Sequence, residues 1–178
     1  KVLECDLSVL QQLQPAMRAG QWQVTVAVHD TSRIIAVWPG FHETAFGLAV
    51  DVGSTTIAAH LCDLVSGEVV ASAGRMNPQI RFGEDLMSRI SYGMMHPDGA
   101  ERLHEAIVEA LNRLIEQAAR SAAVSPQNIL DLVLVGNSVM HHLFLGIAPV
   151  ELAGVPFALA VSGPLDVTAR GGGRTSAN

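Results

Sequence analysis

The sequence predicts an α/β fold: a three-stranded antiparallel meander, then helices and a parallel strand, preceded by a small α+β piece. Residues 46–73 alternate apolar with small or polar side chains, as strands with one buried face do. Residues 100–122 carry an apolar stripe at helical spacing. The apolar run Ile129–Val135 follows this long crossover, so it should pair in parallel with an earlier strand.

Composition limits the function classes. The 178 residues are 49% hydrophobic and 16% charged, enough for a sizeable core and too apolar for a disordered chain. The net charge is −6 without a Lys/Arg cluster, which argues against a nucleic-acid partner. No apolar run is long enough to cross a bilayer, so no membrane partner is expected. We expect a cytoplasmic protein and, since Lys1 begins without Met or a signal-like segment, a piece of something longer.

The two cysteines, Cys5 and Cys62, lie far apart in the sequence. Iron–sulfur clusters need four ligands, so these residues cannot hold one alone and are expected to be free thiols.

Residues 1–45 form a separate piece made of a helix and a hairpin. The helical spacing of Leu7, Leu10, Leu13 and Met17 predicts a helix. Ser8 is a candidate N-cap, and the helix should end at Gly20. Strands are expected from Trp22 to Val28 and from Ile34 to Trp38. Such a unit is too small to be stable alone, so it should pack on the domain that follows.

The stretch Phe46–Asp63 organises the chain. Its first strand has one apolar face and one small-residue face, and it ends near Asp51, a carboxylate that needs a polar or metal partner if it is buried. Gly53 permits a sharp turn. The N–H groups and hydroxyls of Ser54, Thr55 and Thr56 can then surround an anion. A plain hairpin with good turn residues remains the alternative.

Three elements connect this hairpin to the final strand. A third strand is expected over Glu68–Ala73, and the loop Asn77–Gly83 is either a functional loop or a connector. The helix Glu84–Met95 should carry a surface ion pair between Asp85 and Arg89. Its apolar face is expected to comprise Leu86, Met87, Ile90 and Met94.

The run Ile129–Val135 is typical of a central strand buried on both faces. Gly136, Asn137 and Ser138 then begin a short helix at the carboxyl end of this strand, where open α/β sheets bind ligands. Asn137 or Ser138 should also cap the helix. His141 and His142 are adjacent and make a poor metal pair. A further strand over Phe157–Val161 and a loose tail from about residue 170 complete the predictions.

Asp51-x-Gly-Ser-Thr-Thr between two strands resembles the first phosphate motif of the superfamily of acetate and sugar kinases, Hsp70 and actin. The resemblance implies an RNase H-like half-fold. The resemblance extends to one family within this superfamily. Four blocks together resemble the reductive activators of corrinoid proteins: residues 47–56, 77–90, 135–143 and 149–157. Ser54 stands where that family usually has Thr, which keeps the hydroxyl.

That resemblance implies a parent protein with an N-terminal [2Fe-2S] domain, a linker, a middle domain and an ATPase domain of two halves. Such proteins use ATP to drive electrons onto a Co(II) corrinoid protein, restoring Co(I) for methyl transfer. By resemblance, residues 1–45 are the end of the middle/linker domain and residues 46–178 are the first subdomain of the actin-like ATPase domain. The ferredoxin cysteines and the second ATPase half are not in this sequence, so the chain alone should bind ATP weakly and be inactive.

The resemblance also implies the residue roles. Asp51 would be catalytic and position Mg²⁺ through a water molecule, and Asn137 would orient the attacking water or line the cleft. The Asn77–Gly83 loop, with Glu84, would contact a protein partner. The cofactor-binding residues would be Gly53, Ser54, Thr55, Thr56, Gly136 and Ser138. Two other functions remain open. One is a non-catalytic binding or homodimerisation module. The other is a small-molecule kinase, which would place a carboxylate where Asn137 stands.

Overall fold

A computed structural model describes residues 2–167 as a mixed α/β structure with two sheets. The predicted tail from about residue 170 lies outside the described residues. The helices and strands are β1 (Glu4–Cys5), α1 (Leu7–Ala19), β2 (Val24–His29), β3 (Arg33–Pro39), β4 (Phe46–Val52), β5 (Thr56–Asp63), β6 (Val69–Met76), α2 (Leu86–Met95), α3 (Gly99–Ser121), β7 (Ile129–Gly136) and α4 (Ser138–Phe144).

The first sheet, with strand order β1-β3-β2, belongs to the N-terminal piece. The predicted helix and hairpin are present, but the buried face of α1 differs from the prediction. Val9 and Ala16 are buried against β3, whereas Leu7 is 70% exposed and Leu10 51% exposed. The helix is preceded by Asp6 rather than capped by Ser8, and it ends at Gly20 as predicted.

The N-terminal piece contacts the second sheet near the start of β7. The indole N–H of Trp38 donates to the Asn128 side-chain oxygen at 3.3 Å. This hydrogen bond joins the two pieces, and their packing on one another stays a prediction.

The second sheet has the order β6-β5-β4-β7. Strands β4, β5 and β6 pair antiparallel in sequence order, and β7 pairs in parallel with β4. The predicted meander and parallel strand are therefore both confirmed. The alternation in β4 is confirmed as well, because Leu48, Val50 and Val52 are buried while Ala49 and Asp51 are exposed.

Helices α3 and α4 supply the other side of the main core. The predicted stripe of α3 is confirmed by Leu103, Ile107, Leu111, Leu114 and Ala118, each at most 1% exposed. At about 25 cal/mol per Å² of apolar surface removed from water, this burial is the main stabilising term of the sheet. No helix within residues 2–167 is both long enough and apolar enough to span a membrane.

The prediction that β7 is a central strand was wrong. It lies at the sheet edge, and Val133 and Val135 are 58% and 56% exposed. The physical reason is that the second face of the sheet has no helix over it in the described residues, so one half of the apolar run faces outward. The predicted strand over Phe157–Val161 is also wrong, because these residues form no strand.

Helix α2 differs from the prediction in its buried face. Met87 and Met94 are 52% and 57% exposed, whereas Arg89 and Ile90 are buried. The expected Asp85–Arg89 ion pair is absent from the salt bridges of residues 2–167. Asp85 instead caps the helix by accepting from the Ser88 N–H at 2.7 Å.

Candidate functional site

The segment Gly53–Thr56, called here the phosphate turn, joins β4 to β5 at the carboxyl end of β4. Thr55 and Thr56 are exposed and Ser54 is partly exposed. Asp51 lies just before the turn, on the open face of the sheet, and is exposed. Its carboxylate is therefore accessible to water. A polar or metal partner was expected only if Asp51 was buried, so that requirement does not apply.

Three consecutive carbonyl groups of the phosphate turn accept hydrogen bonds from buried donors. The Asn77 side-chain amide donates to the Gly53 carbonyl oxygen at 2.8 Å. The Arg89 guanidinium donates to the Ser54 carbonyl oxygen at 2.6 Å. The Asn77 backbone N–H donates to the Thr55 carbonyl oxygen at 2.7 Å. Asn77 and Arg89 are both 0% exposed, so all three carbonyls face the protein interior.

This arrangement fixes the direction of the next three amides. A trans peptide is planar, with its N–H and C=O on opposite sides, and the peptide bonds of the turn are trans. The N–H groups of Ser54, Thr55 and Thr56 therefore point away from Asn77 and Arg89. Within residues 2–167, the amides of Ser54 and Thr55 have no hydrogen-bond acceptor. Successive N–H groups that point to one side form an anion-binding concavity.

Gly53 is required by a close backbone approach. Its N–H donates to the Thr56 carbonyl oxygen at 3.0 Å, which closes the hairpin. A Cβ atom at Gly53 would lie 2.6 Å from the same oxygen, closer than such atoms can approach. The glycine at this position is therefore part of the shape of the turn.

Arg89 is the site residue that the sequence reasoning missed. Besides Ser54, its guanidinium donates to the Gly83 carbonyl oxygen at 2.9 Å and contacts the Met140 sulfur at 3.7 Å. Burial lowers the pKa of Arg89, and the nearby charge of Asp85 opposes this effect. An arginine remains charged even so. The sequence did contain a signal for its burial. Arg89 lies three residues after Leu86 and one before Ile90, which places it on the apolar face of α2.

The predicted loop Asn77–Gly83 contains a 3-10 helix over Pro78–Phe82, and two of its polar side chains are buried. Asn77 accepts from the Gln79 N–H at 3.0 Å, and the Gln79 side-chain amide donates to the Leu103 carbonyl oxygen at 2.8 Å. Asn77 is held in place by these contacts, and it in turn holds the carbonyl groups of the phosphate turn. Arg81 and Glu84 are exposed, so they remain available for the predicted partner contact.

The second predicted segment, Gly136–Ser138, lies beside the phosphate turn, since Gly136 is in register with Val52. A Cβ atom at Gly136 would lie 3.0 Å from the Val52 carbonyl oxygen, which shows how closely the strand ends approach. Asn137 caps α4 by accepting from the Met140 N–H at 3.0 Å, as predicted. All three residues of the segment are exposed, and they lie at the same end of the sheet as Asp51, where β4 and β7 finish.

Met140 connects the two segments. Its backbone is held by Asn137, and its buried sulfur accepts from the Asn77 side-chain amide at 3.6 Å and from Arg89 at 3.7 Å. Sulfur is a weak acceptor, so packing contributes more here than these two contacts. The two predicted parts of the site therefore share one buried support.

The phosphate turn lies on an open surface. A cavity of about 180 Å³ is found elsewhere, beside His142 and residues 148–160. Both ring nitrogens of His142 are hydrogen-bonded. Nδ1 lies 2.7 Å from the Ser138 carbonyl oxygen, and Nε2 accepts from the Ala160 N–H at 3.1 Å. No group of three or more metal-ligating side chains occurs in the part of the chain that the structure describes, and both cysteines are free. A ligand on the turn would thus be covered by this chain on one side only.

Comparison with known proteins gives relatives with named activities. The chain is 32% identical over 154 residues to "Corrinoid activation enzyme RamQ" of Eubacterium limosum, covering 85% of this chain and 26% of that protein. A solved structure of "Reductive activator for corrinoid, iron-sulfur protein" aligns with a TM-score of 0.76 and 36% identity, covering 89% of this chain and 26% of that one. The chain therefore spans about a quarter of the length of these relatives.

Two family descriptions match consecutive parts of the sequence. Residues 1–44 match the RACo linker region, and residues 46–176 match the RACo middle region. The boundary between the two matches falls between the N-terminal sheet and β4. The chain therefore belongs to the family of the RACo middle region, and it is homologous to the corrinoid activation enzyme and the reductive activator.

Proposed function

We propose that this chain is part of an ATP-dependent reductive activase that returns a Co(II) corrinoid protein to Co(I) for methyl transfer. Residues 46–178 would be the first subdomain of its actin-like ATPase domain, with an RNase H-like half-fold. Residues 1–45 would be the linker before it, since residues 1–44 match the RACo linker region and the name middle region falls on residues 46–176. The names of the two relatives support the corrinoid part of the proposal. The outward amides of the phosphate turn support the nucleotide part.

The residues fit Mg²⁺-ATP by their chemistry. The amides and hydroxyls of Ser54, Thr55 and Thr56 would hold phosphate oxygens, as such concavities do. Asp51, exposed and hydrated next to the turn, would hold a water molecule of Mg²⁺, which prefers oxygen ligands and keeps several waters. At the adjacent strand end, Gly136 and Ser138 would line the ligand and Asn137 would orient a water. Mg²⁺ would neutralise phosphate charge and polarise the phosphoryl oxygen.

ATP need not react with cobalt in this proposal. It would act by binding one conformation of the protein better than another, which is the only way in which a ligand shifts such an equilibrium. The partner would be the corrinoid protein, contacted in part by the exposed residues Arg81 and Glu84. The [2Fe-2S] cluster that supplies electrons would belong to a separate N-terminal domain, because Cys5 and Cys62 lie in different sheets.

The experiment is Asp51→Ala in the full-length protein, with ATP-stimulated reduction of Co(II) as the measurement. We expect the ATP-stimulated part to be lost because Mg²⁺ would no longer be positioned. Asp131→Ala is the matched control: Asp131 is an exposed carboxylate in β7 whose side chain, among residues 2–167, accepts only from the adjacent Leu132 N–H, at 2.8 Å. Unchanged stimulation in Asp51→Ala would remove Asp51 from the mechanism.

A second candidate function is a binding or homodimerisation module. The observation that favours it is the exposed edge strand β7 with Val133 and Val135 outward, since unpaired edges are templates for pairing with another chain. Light scattering coupled to gel filtration tests it. A dimer that Val135→Lys converts to a monomer would support this candidate, and a monomeric parent chain would exclude homodimerisation.

A further inference from the structure

Within residues 2–167, Arg89 is a buried cation that forms no ion pair. Its side chain is 0% exposed, and within residues 2–167 its polar contacts are two carbonyl oxygens and the Met140 sulfur. None of the salt bridges of the described residues includes it. A buried charge is costly unless an opposite charge or hydrogen bonds compensate it. The hydrogen bonds satisfy part of the guanidinium, and the nearby charge of Asp85 acts on it without forming an ion pair.

The guanidinium lies directly behind the phosphate turn. Its 2.6 Å hydrogen bond to the Ser54 carbonyl places it on one side of the Ser54–Thr55 peptide, and the Thr55 N–H lies on the other side. The bond also fixes the rotation of this peptide, because a flip would break a charge-assisted hydrogen bond. An anion at the Thr55 amide would therefore be separated from the arginine by a single peptide unit.

A neutral donor could also hold the Ser54 carbonyl, but with a weaker hydrogen bond. What arginine adds is two donors in a rigid fork, one for Ser54 and one for Gly83, and a permanent positive charge. The fork also ties α2 to the turn, and Gly83 allows this approach, since a Cβ atom there would lie 2.7 Å from the Arg89 backbone nitrogen. Attraction between unit charges is stronger in a protein interior than in water.

We propose that Arg89 is a positioning residue of the phosphate turn. It holds the Ser54–Thr55 peptide with its N–H directed at the ligand, and its buried charge favours phosphate groups there. This inference rests on the proposed phosphate site. The ligand class is a phosphate chain with several negative charges, as in a nucleoside triphosphate or pyrophosphate.

The test compares Arg89→Met and Arg89→Lys with the parent chain. Arg89→Met removes the charge and both bonds, whereas Arg89→Lys keeps the charge and loses the fork. Leu114→Ala is the control, because it weakens the same core without touching the turn. Because the chain alone is expected to bind ATP weakly, the parent and each variant are made in the full-length protein and titrated with Mg²⁺-ATP, pyrophosphate and inorganic phosphate. Affinity is measured by calorimetry, and the amide shifts of the turn are measured by NMR.

We expect the full-length parent to bind pyrophosphate with shifts at the Ser54, Thr55 and Thr56 amides. Arg89→Met should lose about tenfold or more in affinity, because the turn loses a hydrogen bond from a charged donor together with the positive charge behind it. Arg89→Lys should lie between Arg89→Met and the parent, and Leu114→Ala should match the parent. The preference for pyrophosphate over inorganic phosphate should fall in Arg89→Met only. A purely structural role would not change this preference, because it does not depend on ligand charge.

The outcomes separate the two claims. Full-length parent protein that binds none of the three probes contradicts the phosphate site itself. A parent that binds them, together with an Arg89→Met variant of equal affinity, overturns the role of Arg89 and leaves the phosphate site standing. If Arg89→Met does not fold, Arg89→Lys decides. Equal affinity and an unchanged Thr55 amide shift in that variant would overturn the role of Arg89.

Discussion

Replacing Asn77 with Ala is expected to destabilise the protein by about 2–4 kcal/mol, because it leaves two backbone groups without partners. One is the Gly53 carbonyl oxygen, which accepts from the Asn77 side chain at 2.8 Å. The other is the Gln79 N–H, which donates to the Asn77 side-chain oxygen at 3.0 Å. Asn77 is 0% exposed, so water does not reach its place without a rearrangement.

The magnitude follows from the burial of each group. A buried polar group that loses its partner costs roughly 1–3 kcal/mol. The Gln79 amide is fully buried, so its loss belongs in the middle or upper part of this range. Gly53 is partly exposed, so water reaches its carbonyl more easily. The cost of losing this hydrogen bond therefore lies at the lower end of the range. Against a total stability of about 5–15 kcal/mol, the sum is a large fraction.

The assay is urea denaturation followed by circular dichroism, with Asn137→Ala as the matched control. Asn137 is also an asparagine that caps a helical segment, but it is exposed, and within the described residues 2–167 its side chain makes one hydrogen bond, from the Met140 N–H. A lost helix cap costs about 0.5–2 kcal/mol. With a slope near ~2 kcal/mol/M, Asn77→Ala should lower the urea midpoint by about 1–2 M. If Asn77→Ala costs no more than Asn137→Ala, the buried support described for the turn is incorrect.

Two further predictions concern the helix cap and the glycine of the turn. The Ser88 backbone N–H and hydroxyl lower the pKa of Asp85 from its ordinary value of 3.8. Its charge therefore adds stability that is fully present above pH 3.8 and is lost as the pH falls through the lower folded-state value. The difference in urea midpoint between the parent and Asp85→Asn should be constant near neutral pH and disappear in this acidic range; a difference that grows on acidification would contradict the assignment. Gly53→Ala should cost about 1–3 kcal/mol in thermal unfolding, because the new Cβ would meet the Thr56 carbonyl oxygen at 2.6 Å. Gly154→Ala, where a Cβ meets nothing within 4 Å, is its control, and equal melting temperatures for the two variants would refute the clash.

Sequence patterns predicted the elements whose shape follows from local periodicity. The meander and the stripe of α3 were predictable because a two-residue or a 3.6-residue repeat determines which side chains share a face. The cap at Asn137 was predictable because short polar side chains at that position satisfy free N–H groups. The position of the candidate turn, between two alternating strands, was predictable for the same reason.

The buried support of the turn was not predictable from those patterns. The spacing of Asp85 and Arg89 is typical of a surface ion pair, but such a pair contributes only about 0.2–0.5 kcal/mol. Two hydrogen bonds from the guanidinium to carbonyl oxygens outweigh it, and they depend on groups that tertiary packing brings together. The exposure of Val133 and Val135 was also hidden, because an apolar run does not show which of its faces another element covers.

The support of the turn has a consequence for the order of folding. The residues that orient its carbonyls follow it by 24 positions at Asn77 and by 35 at Arg89, and Met140 lies further on. Closing such loops costs entropy before the contacts that reward them are made. A chain emerging from the ribosome can therefore form the β4–β5 hairpin early, but its amides acquire a common direction only after α2 has docked. Ligand capture by this chain is thus a late event in its maturation.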